Sequence, residues 1–394
     1  MVKAVQILFW IFLFIIIYSY VIYPVILYLI SLTVKIFKVK KTKNIVEDYL
    51  PEVTLFVAAY NEIDFINEKV KNSLSLDYPQ AKIHHIWITD GSDDGTPELL
   101  KKYNNISVQH FPKRNGKTGA INRGMQFIKT PIVIFSDANS ILNPESIRYI
   151  IELFKDPKVG CVAGEKRIKA KNKENAVNAG EGIYWKYESL IKKCESEINS
   201  AVGAVGELFA IRTELFDKIE SDTILDDFII SLRIAMKGYK IKYEPRAIAT
   251  EGPSANIREE LKRKTRIAFG GFQAIGRLKK LLNPFKYPFL SFQYLSHKVL
   301  RWVFVPFSFL IVFITNLFLT FDANWIGFYD VTFYLQLMFY LTVLIGALLQ
   351  KTKTNLKFIF APYYLFIMNL AEIIGLIRFI RKKQSVNWER AKRE

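Results

Sequence analysis

The run from Val5 to Ile30 carries no charge and, beyond Gln6 at its start, is broken only by Ser19 and Pro24. About 20 consecutive apolar residues are enough to cross a bilayer, and in hydrocarbon a helix satisfies its own backbone groups. The chain therefore starts with a membrane helix. A cleaved leader has a shorter apolar core and a small-residue cleavage site, so this run is an anchor. Lys35, Lys38, Lys40, Lys41 and Lys43 follow it, placing that side in the cytoplasm by the positive-inside rule. Two further spans are expected at Val299 to Phe321 and Val331 to Leu349. The segment between them, Asp322-Ala323-Asn324-Trp325, has no Lys or Arg and suits the outer face. A last apolar stretch, Phe358 to Ile377, contains Pro362, Asn369 and Glu372. Strict alternation would leave the basic residues Arg378, Arg381, Lys382 and Lys383 outside, against the charge rule. Either this stretch spans and the rule fails, or it re-enters and the tail stays cytoplasmic. The expected location is the cell membrane, multi-pass, with the central domain cytoplasmic.

At 51% hydrophobic and 23% charged, the composition combines membrane segments with a soluble domain. The boundaries predicted are an anchor over 1–36, an α/β domain over 49–258, a basic amphipathic segment over 259–298, a membrane region over 299–380 and a basic tail over 381–394. The net charge of +18 is accounted for by anionic membrane lipids and a phosphate-bearing substrate. No recognition motif accompanies it, so nucleic acid is not an expected partner. Cys161 and Cys194 lack metal-ligand spacing and are expected as buried free thiols. The four histidines are scattered, and none is given a catalytic role.

Between Tyr49 and about Arg258, strands alternate with helices, as in a mostly parallel sheet covered on both faces. The first strand, Val53 to Ala59, runs into Tyr60-Asn61-Glu62, and a helix follows from Ile63 to Leu74. The second, Ile83 to Thr89, ends in Asp90-Gly91-Ser92-Asp93-Asp94-Gly95-Thr96, with a helix from Pro97. A short strand, Ile106 to His110, leads to a loop containing Gly116-Lys117-Thr118-Gly119. Next comes Ile132-Val133-Ile134-Phe135-Ser136-Asp137-Ala138-Asn139, an apolar run ending on a carboxylate and an amide. In open α/β sheets ligands bind beyond the carboxyl ends of the strands. Three strand ends rich in acids, amides and glycines suggest a single site in which a cation bridges carboxylates to a diphosphate. Alone, Asp137 and Asn139 fit an Asx turn equally well, and Lys117 fits a solvated lysine.

Downstream, Glu181 to Ser196 is a predicted helix whose Tyr184, Trp185 and Tyr187 are assigned to packing. Gly203-Ala204-Val205-Gly206-Glu207 is a small-residue loop that lets a bulky ligand such as a sugar approach the backbone. Asp226 and Asp227 open an apolar helical pattern, where the helix dipole favours negative charge. One of them pointing into a cleft would instead serve as a general base. The basic stretch from Arg258 to Lys286 and the aromatic stretch from Pro288 to Trp302 are expected to lie in the membrane interface.

These residues, in this order, resemble the membrane-bound family-2 glycosyltransferases, which include cellulose, chitin, hyaluronan and poly-N-acetylglucosamine synthases. The resemblance covers nearly the whole chain and implies a GT-A domain between an N-terminal transmembrane anchor and C-terminal transmembrane helices. It implies that Ala58, Tyr60 and Glu62 border the nucleoside, that Asp90 contacts the base with Lys117 nearby, and that Asp137 lies beside the sugar diphosphate and its Mg2+ or Mn2+. Gly206 and Glu207 would lie on the acceptor side. Asp227, next to Asp226, matches the catalytic base. Two positions depart from the family pattern. Asn139 replaces the second acid of the Asp-x-Asp motif, though an amide oxygen still coordinates Mg2+ or Mn2+. Arg263-Lys264-Thr265-Arg266-Ile267 stands where Gln-x-x-Arg-Trp is usual. Arg266 is kept for the departing diphosphate, while the Trp expected to stack on an acceptor sugar is lost.

The implied reaction is an inverting transfer from a nucleotide sugar, UDP-linked by preference, to a lipid-linked or polysaccharide acceptor. A processive synthase with coupled export is the alternative. An inactive nucleotide-sugar-binding scaffold is less favoured.

Overall fold

Val53, Leu55, Val57 and Ala59 pack into one apolar core while Phe56, between them, packs into another. This period-2 split shows that strand β1 (Val53–Ala59) lies in the middle of a sheet covered on both faces. The computed structural model describes residues 1–38, 49–169, 176–321, 327–349 and 357–383. The lysines at 40, 41 and 43, the predicted outer segment from Asp322 to Trp325 and the tail beyond 383 lie outside the described residues.

The other strands are β2 (Ile83–Asp90), β3 (Ser107–Phe111), β4 (Ile132–Asp137), β5 (Ile141–Leu142), β6 (Val159–Ile168), β7 (Leu208–Arg212) and β8 (Lys240–Glu251). They form one sheet in the order β3-β2-β1-β4-β7-β6-β8-β5. β1 is parallel to β2 and β4, and β2 to β3. β7 runs antiparallel to β4 and β6, so the sheet is mixed. Ala58 pairs with Ile88 on one side and Asp137 on the other, which aligns the carboxyl ends of three strands. On one face Phe56, Phe135 and Phe209 form a ladder, with ring centroids 5.2 and 4.7 Å apart.

The helices are α1 (Val2–Ile17), α2 (Tyr23–Lys38), α3 (Ile63–Leu74), α4 (Thr96–Leu100), α5 (Gly116–Gly124), α6 (Ser146–Leu153), α7 (Ala176–Ile198), α8 (Asp226–Met236), α9 (Ile257–Arg277), α10 (Pro288–Tyr294), α11 (Val305–Phe321), α12 (Phe328–Leu349) and α13 (Lys357–Ile380). Helix α5 corrects an expectation. Gly116 and Gly119 suggested a loop, but that segment is helical and Lys117 stands in its first turn. Thr118 Oγ1 donates to Thr223 O at 2.9 Å, a tertiary anchor that offsets the glycine penalty. Cys161 and Cys194 are buried free thiols.

Four helical stretches are long and apolar enough to cross a membrane: Val2–Phe37, Pro288–Thr320, Phe328–Leu349 and Phe358–Ile380. A π-helical turn, Tyr18–Ile22, joins α1 to α2, and another, Leu295–Phe304, joins α10 to α11. Past its turn, α2 is bound to the domain: Tyr23 donates to Glu195 at 2.7 Å and Ser31 to Glu197 at 2.5 Å. Val25, Leu29, Leu32 and Ile36 on its opposite side are exposed, as a lipid-facing stripe would be.

The last helix packs along α9. The first turns of α13 pack with Ile257 and Leu261 of α9, and its last turns place Phe379 against Phe269 and Phe272. Helix α9 itself is tied to the domain, since Arg277 bonds Thr223 and Asp222 at 2.6 and 2.5 Å. Helix α13 therefore runs alongside a helix that is fixed to the α/β domain.

Arg263 locks this assembly. It bonds Glu181 of α7 at 2.6 Å and Glu260 of its own helix at 2.9 and 3.0 Å. Tyr364 of α13 also donates to Glu260, at 2.8 Å. Both carboxylates are buried. Removing the cation from such a pair costs about 3–5 kcal/mol, because the charges left behind are uncompensated. Arg263→Met should therefore lower the unfolding temperature in detergent by several degrees, and an unchanged melt would show that the cluster is not holding the helices together.

Candidate active site

Strand β4 delivers Asp137 to the carboxyl edge of the sheet, and a buried lysine fixes the loop after it. Lys69 Nζ donates to Ser136 Oγ at 2.7 Å and to Ser140 O at 2.6 Å, bracketing Asp137 and Asn139. Burial pushes the Lys69 ammonium down to about 7, against the pull of Asp137 and Glu251. Nothing local in the sequence marks Lys69, an ordinary lysine on an amphipathic helix.

Asp137 Oδ1 accepts from Lys117 Nζ at 2.7 Å. The same ammonium is 3.8 Å from Asp226 Oδ2. A Cβ placed on Gly206 would stand 3.5 Å from Asp227 Oδ2 and 3.6 Å from Lys117 Nζ, so the Asp227 carboxylate and the Lys117 ammonium approach each other over bare backbone. Burial works against the charge on Lys117, but Asp137, Asp226 and Asp227 outweigh it and hold its affinity for the proton well above the usual range. Asp226 and Asp227 stand in the first turn of α8, as expected of a helix start. Burial, then the neighbouring Asp226 carboxylate, raises Asp227 to about 7, with Lys117 opposing the shift. Burial likewise raises Asp137.

Asp137, Lys117, Gly206, Glu207, Asp226, Asp227, Arg266 and Ile267 all line one cleft of about 580 Å3. Its acidic floor comes from the strand ends and α8. Facing it is a basic wall: Lys262, Arg263, Lys264 and Arg266 of α9, joined by Arg378 and Lys383 from the end of the described chain. Burial lowers Arg266 to about 10, offset by Asp226, and it stays a cation at neutral pH. Glu207 is held by Lys166, which also bonds Glu251 at 2.7 Å. Burial opposes ionisation of Glu207, yet Lys166 brings it down to about 2.

The remaining predicted site residues stand outside this lining. Ala58 is the sheet neighbour of Asp137. The Arg114 guanidinium, which lines the cleft, lies 3.5 Å over the Tyr60 ring. Glu62 is buried, its N–H donating to Thr96 Oγ1 at 3.1 Å. Asp90 is buried in an ion pair with Arg123 and accepts from Asn115 N at 2.8 Å. Asn139 is buried, and its Nδ2 meets no hydrogen-bond acceptor. Conversely, Tyr184 and Trp185, assigned to packing, line the cleft, as do Lys192 and Trp302. An aromatic stripe at helical spacing gives no sign of which face meets a cavity.

Among the described residues, no three His, Cys, Asp or Glu side chains converge to hold a metal ion on their own. A single strand-end carboxylate, Asp137, facing a basic wall instead fits a cation that arrives with a diphosphate, which supplies most of its oxygen ligands.

A family model described as glycosyltransferase-like family 2 matches residues 51–270, the sheet and its site together with most of α9. The chain belongs to this family. Among its relatives is a poly-β-1,6-N-acetyl-D-glucosamine synthase of Staphylococcus aureus (strain MSSA476), 32% identical over 253 residues. That match covers 61% of this chain and 60% of the relative, so the chain spans well under two thirds of that synthase's length. The synthase of Staphylococcus epidermidis is 28% identical over 302 residues, covering 68% of this chain and 71% of that protein. Among solved structures, a mannosyltransferase from Pyrobaculum calidifontis, in complex with GDP-Man and Mn2+, superposes with a TM-score of 0.69 at 19% identity. It covers 98% of this chain and 100% of that one. This likeness establishes the fold: a GT-A-type domain with long apolar helices at both ends. The protein is thus a family-2 glycosyltransferase, an enzyme.

Proposed function

We propose that this family-2 glycosyltransferase moves one sugar, with inversion, from a nucleoside diphosphate sugar to a hydroxyl of a lipid-linked acceptor at the cytoplasmic membrane face. UDP is the preferred nucleotide. The observation carrying this reading is Asp227, whose proton affinity is raised to about 7 beside a cleft with an acidic floor and a basic wall. A carboxylate near neutrality is suited to accept the acceptor hydroxyl's proton as that oxygen attacks the anomeric carbon. Arg266 faces the departing diphosphate from α9 and stabilises the charge that develops on it. Arg114 and the Tyr60 ring beneath it border the nucleoside side, with Ala58, Glu62 and Asp90 behind them, and Gly206 and Glu207 the acceptor side. Mg2+ or Mn2+ would be held by Asp137 and the donor diphosphate, with Asn139 behind it, and would neutralise phosphate charge. Lys117 must release Asp137 Oδ1 when that happens, and Asp226 and Asp227 keep its ammonium in the cleft.

The pH dependence follows from Asp227. The base is protonated below about pH 7, so kcat/KM should rise about tenfold per unit up to that pH and then level off. A pH–rate profile flat from 5 to 8 would remove Asp227 as base. Asn139→Asp should lower the Mg2+ or Mn2+ concentration needed for half-maximal rate, by adding a carboxylate next to Asp137. An unchanged metal titration would place residue 139 outside the metal's reach.

A second reading, processive synthesis, is favoured by one observation: the 32%-identical relative is a polymer synthase. A donor screen tests the proposal. Purified protein is incubated with a panel of UDP- and GDP-sugars, native lipids and Mn2+, and released nucleoside diphosphate and product length are read. One donor consumed with a singly extended product is expected. A ladder of oligomers would favour the second reading, and no consumption of any donor would sink both.

A further inference from the structure

Ile267 stands where the resembled motif carries its sugar-stacking Trp, yet an indole from another element packs against the next turn of the same helix. The turn of α9 after Ile267 contains Gly270 and Gly271, and residues four apart share a helix face. A Cβ built on Gly271 would meet Trp302 Cε3 at 2.9 Å and Cδ2 and Cζ3 at 3.1 Å each. Near-equal distances to three adjacent ring atoms mean that the indole lies face-on to the glycine backbone. Any side chain at 271 would expel it. Trp302 comes from the π-helical turn before α11, so it fills from another element the face that the motif's own aromatic leaves bare.

Its other contacts tie it to the chemistry. The Phe228 ring, next in sequence to Asp227, packs 5.5 Å from the Trp302 ring. Trp302 lines the catalytic cleft and also a second cavity of about 550 Å3 between α7, α12, α13 and the two π-helical turns. Tyr184, Glu188, Lys298, Met368 and Glu372 line both cavities with it and form the neck between them. Glu372 Oε2, in that neck, is buried without a hydrogen-bond partner. The Lys264 ammonium lies 4.4 Å over the Tyr184 ring, and the Lys298 ammonium stands farther off, 6.0 Å over the Trp302 ring.

We propose that Trp302 is the acceptor platform. A pyranose ring of the acceptor stacks on its indole at the neck, within reach of Asp227, while the rest of the acceptor extends into the second cavity. The π face is negative and the C–H face of a pyranose is weakly positive, so the two attract. Glu372 and Lys298 offer hydrogen-bond partners for sugar hydroxyls beside it. The acceptor class is then a glycan-bearing molecule rather than a bare lipid phosphate. This rests on the glycosyl-transfer reading and deepens it.

The test uses the full-length protein in detergent, the donor found by the screen, and β-linked pentasaccharides of N-acetylglucosamine and of glucose as acceptor probes. Trp302→Leu keeps apolar bulk but no π face, and Trp302→Phe keeps a π face. The Leu variant should raise the KM of whichever pentasaccharide saturates the wild type about tenfold or more, with donor KM within about twofold. The Phe variant should stay within about threefold on both. An unchanged acceptor KM in the Leu variant, or a donor KM rising in step with it, would overturn the platform, the latter marking a packing role. Wild-type donor cleavage that neither pentasaccharide saturates would overturn it too, while leaving glycosyl transfer intact. Absence of any donor cleavage would instead strike at the transfer reading.

Discussion

Asp227→Asn should lower kcat for sugar transfer by about 10²–10⁴-fold, the contribution typical of a positioned general base, while nucleoside diphosphate binding persists. The amide has the carboxylate's shape but cannot take the acceptor's proton. The change should leave the fold intact, for two reasons of size. A first-turn carboxylate contributes only about 0.3–1 kcal/mol through the helix dipole, and Asp226 remains to supply it. Removing one of two adjacent carboxylates also relieves the repulsion that raises Asp227. Transfer rate, nucleotide affinity and thermal melting of the same preparation separate these effects. Near-normal transfer by the Asn variant would end the assignment.

Asp137→Ala should abolish transfer by a different route, through loss of the donor. Asp137 is the only carboxylate from the ends of β1, β2 and β4 that lines the cleft among the described residues. Without it the cation on the donor diphosphate has lost its carboxylate partner, and truncating one member of such a desolvated charge pair across a binding interface costs about 2–5 kcal/mol, or about 30- to 5,000-fold in affinity. The affinity for nucleoside diphosphate with Mn2+ should fall in that range, measured by calorimetry. The two variants are therefore distinguishable: Asp227→Asn binds donor and does not transfer it, whereas Asp137→Ala does not hold it. Donor affinity unchanged in Asp137→Ala would place the diphosphate elsewhere.

The sheet was legible because its strands are buried on both faces and end in polar residues. Val53 to Ala59 and Ile132 to Phe135 could hardly form anything else, and their ends meet as Ala58 opposite Asp137. Asp226 and Asp227 were legible as a helix start because the dipole demands acids there. Lys117 was misplaced because its helix is held by a bond from Thr118 to Thr223, a contact more than a hundred residues away in sequence. Lys69, Trp185 and Trp302 were invisible for the same reason. What distinguishes each from a core or surface residue is what another element brings to it. The packing of α13 along α9 was illegible from charge alone, since apolar length permits a span and says nothing of which helix it lies against.

One structure would weigh the whole account: the full-length protein in detergent or nanodisc with UDP and Mn2+, by cryo-electron microscopy. The diphosphate and metal should lie against Asp137, with the Lys117 ammonium moved off Oδ1 and the β-phosphate facing Arg266. Asp227 should stand free of the nucleotide, open toward Trp302. Nucleotide density away from Asp137, or Lys117 still bonded to it with nucleotide bound in the cleft, would contradict the site as described.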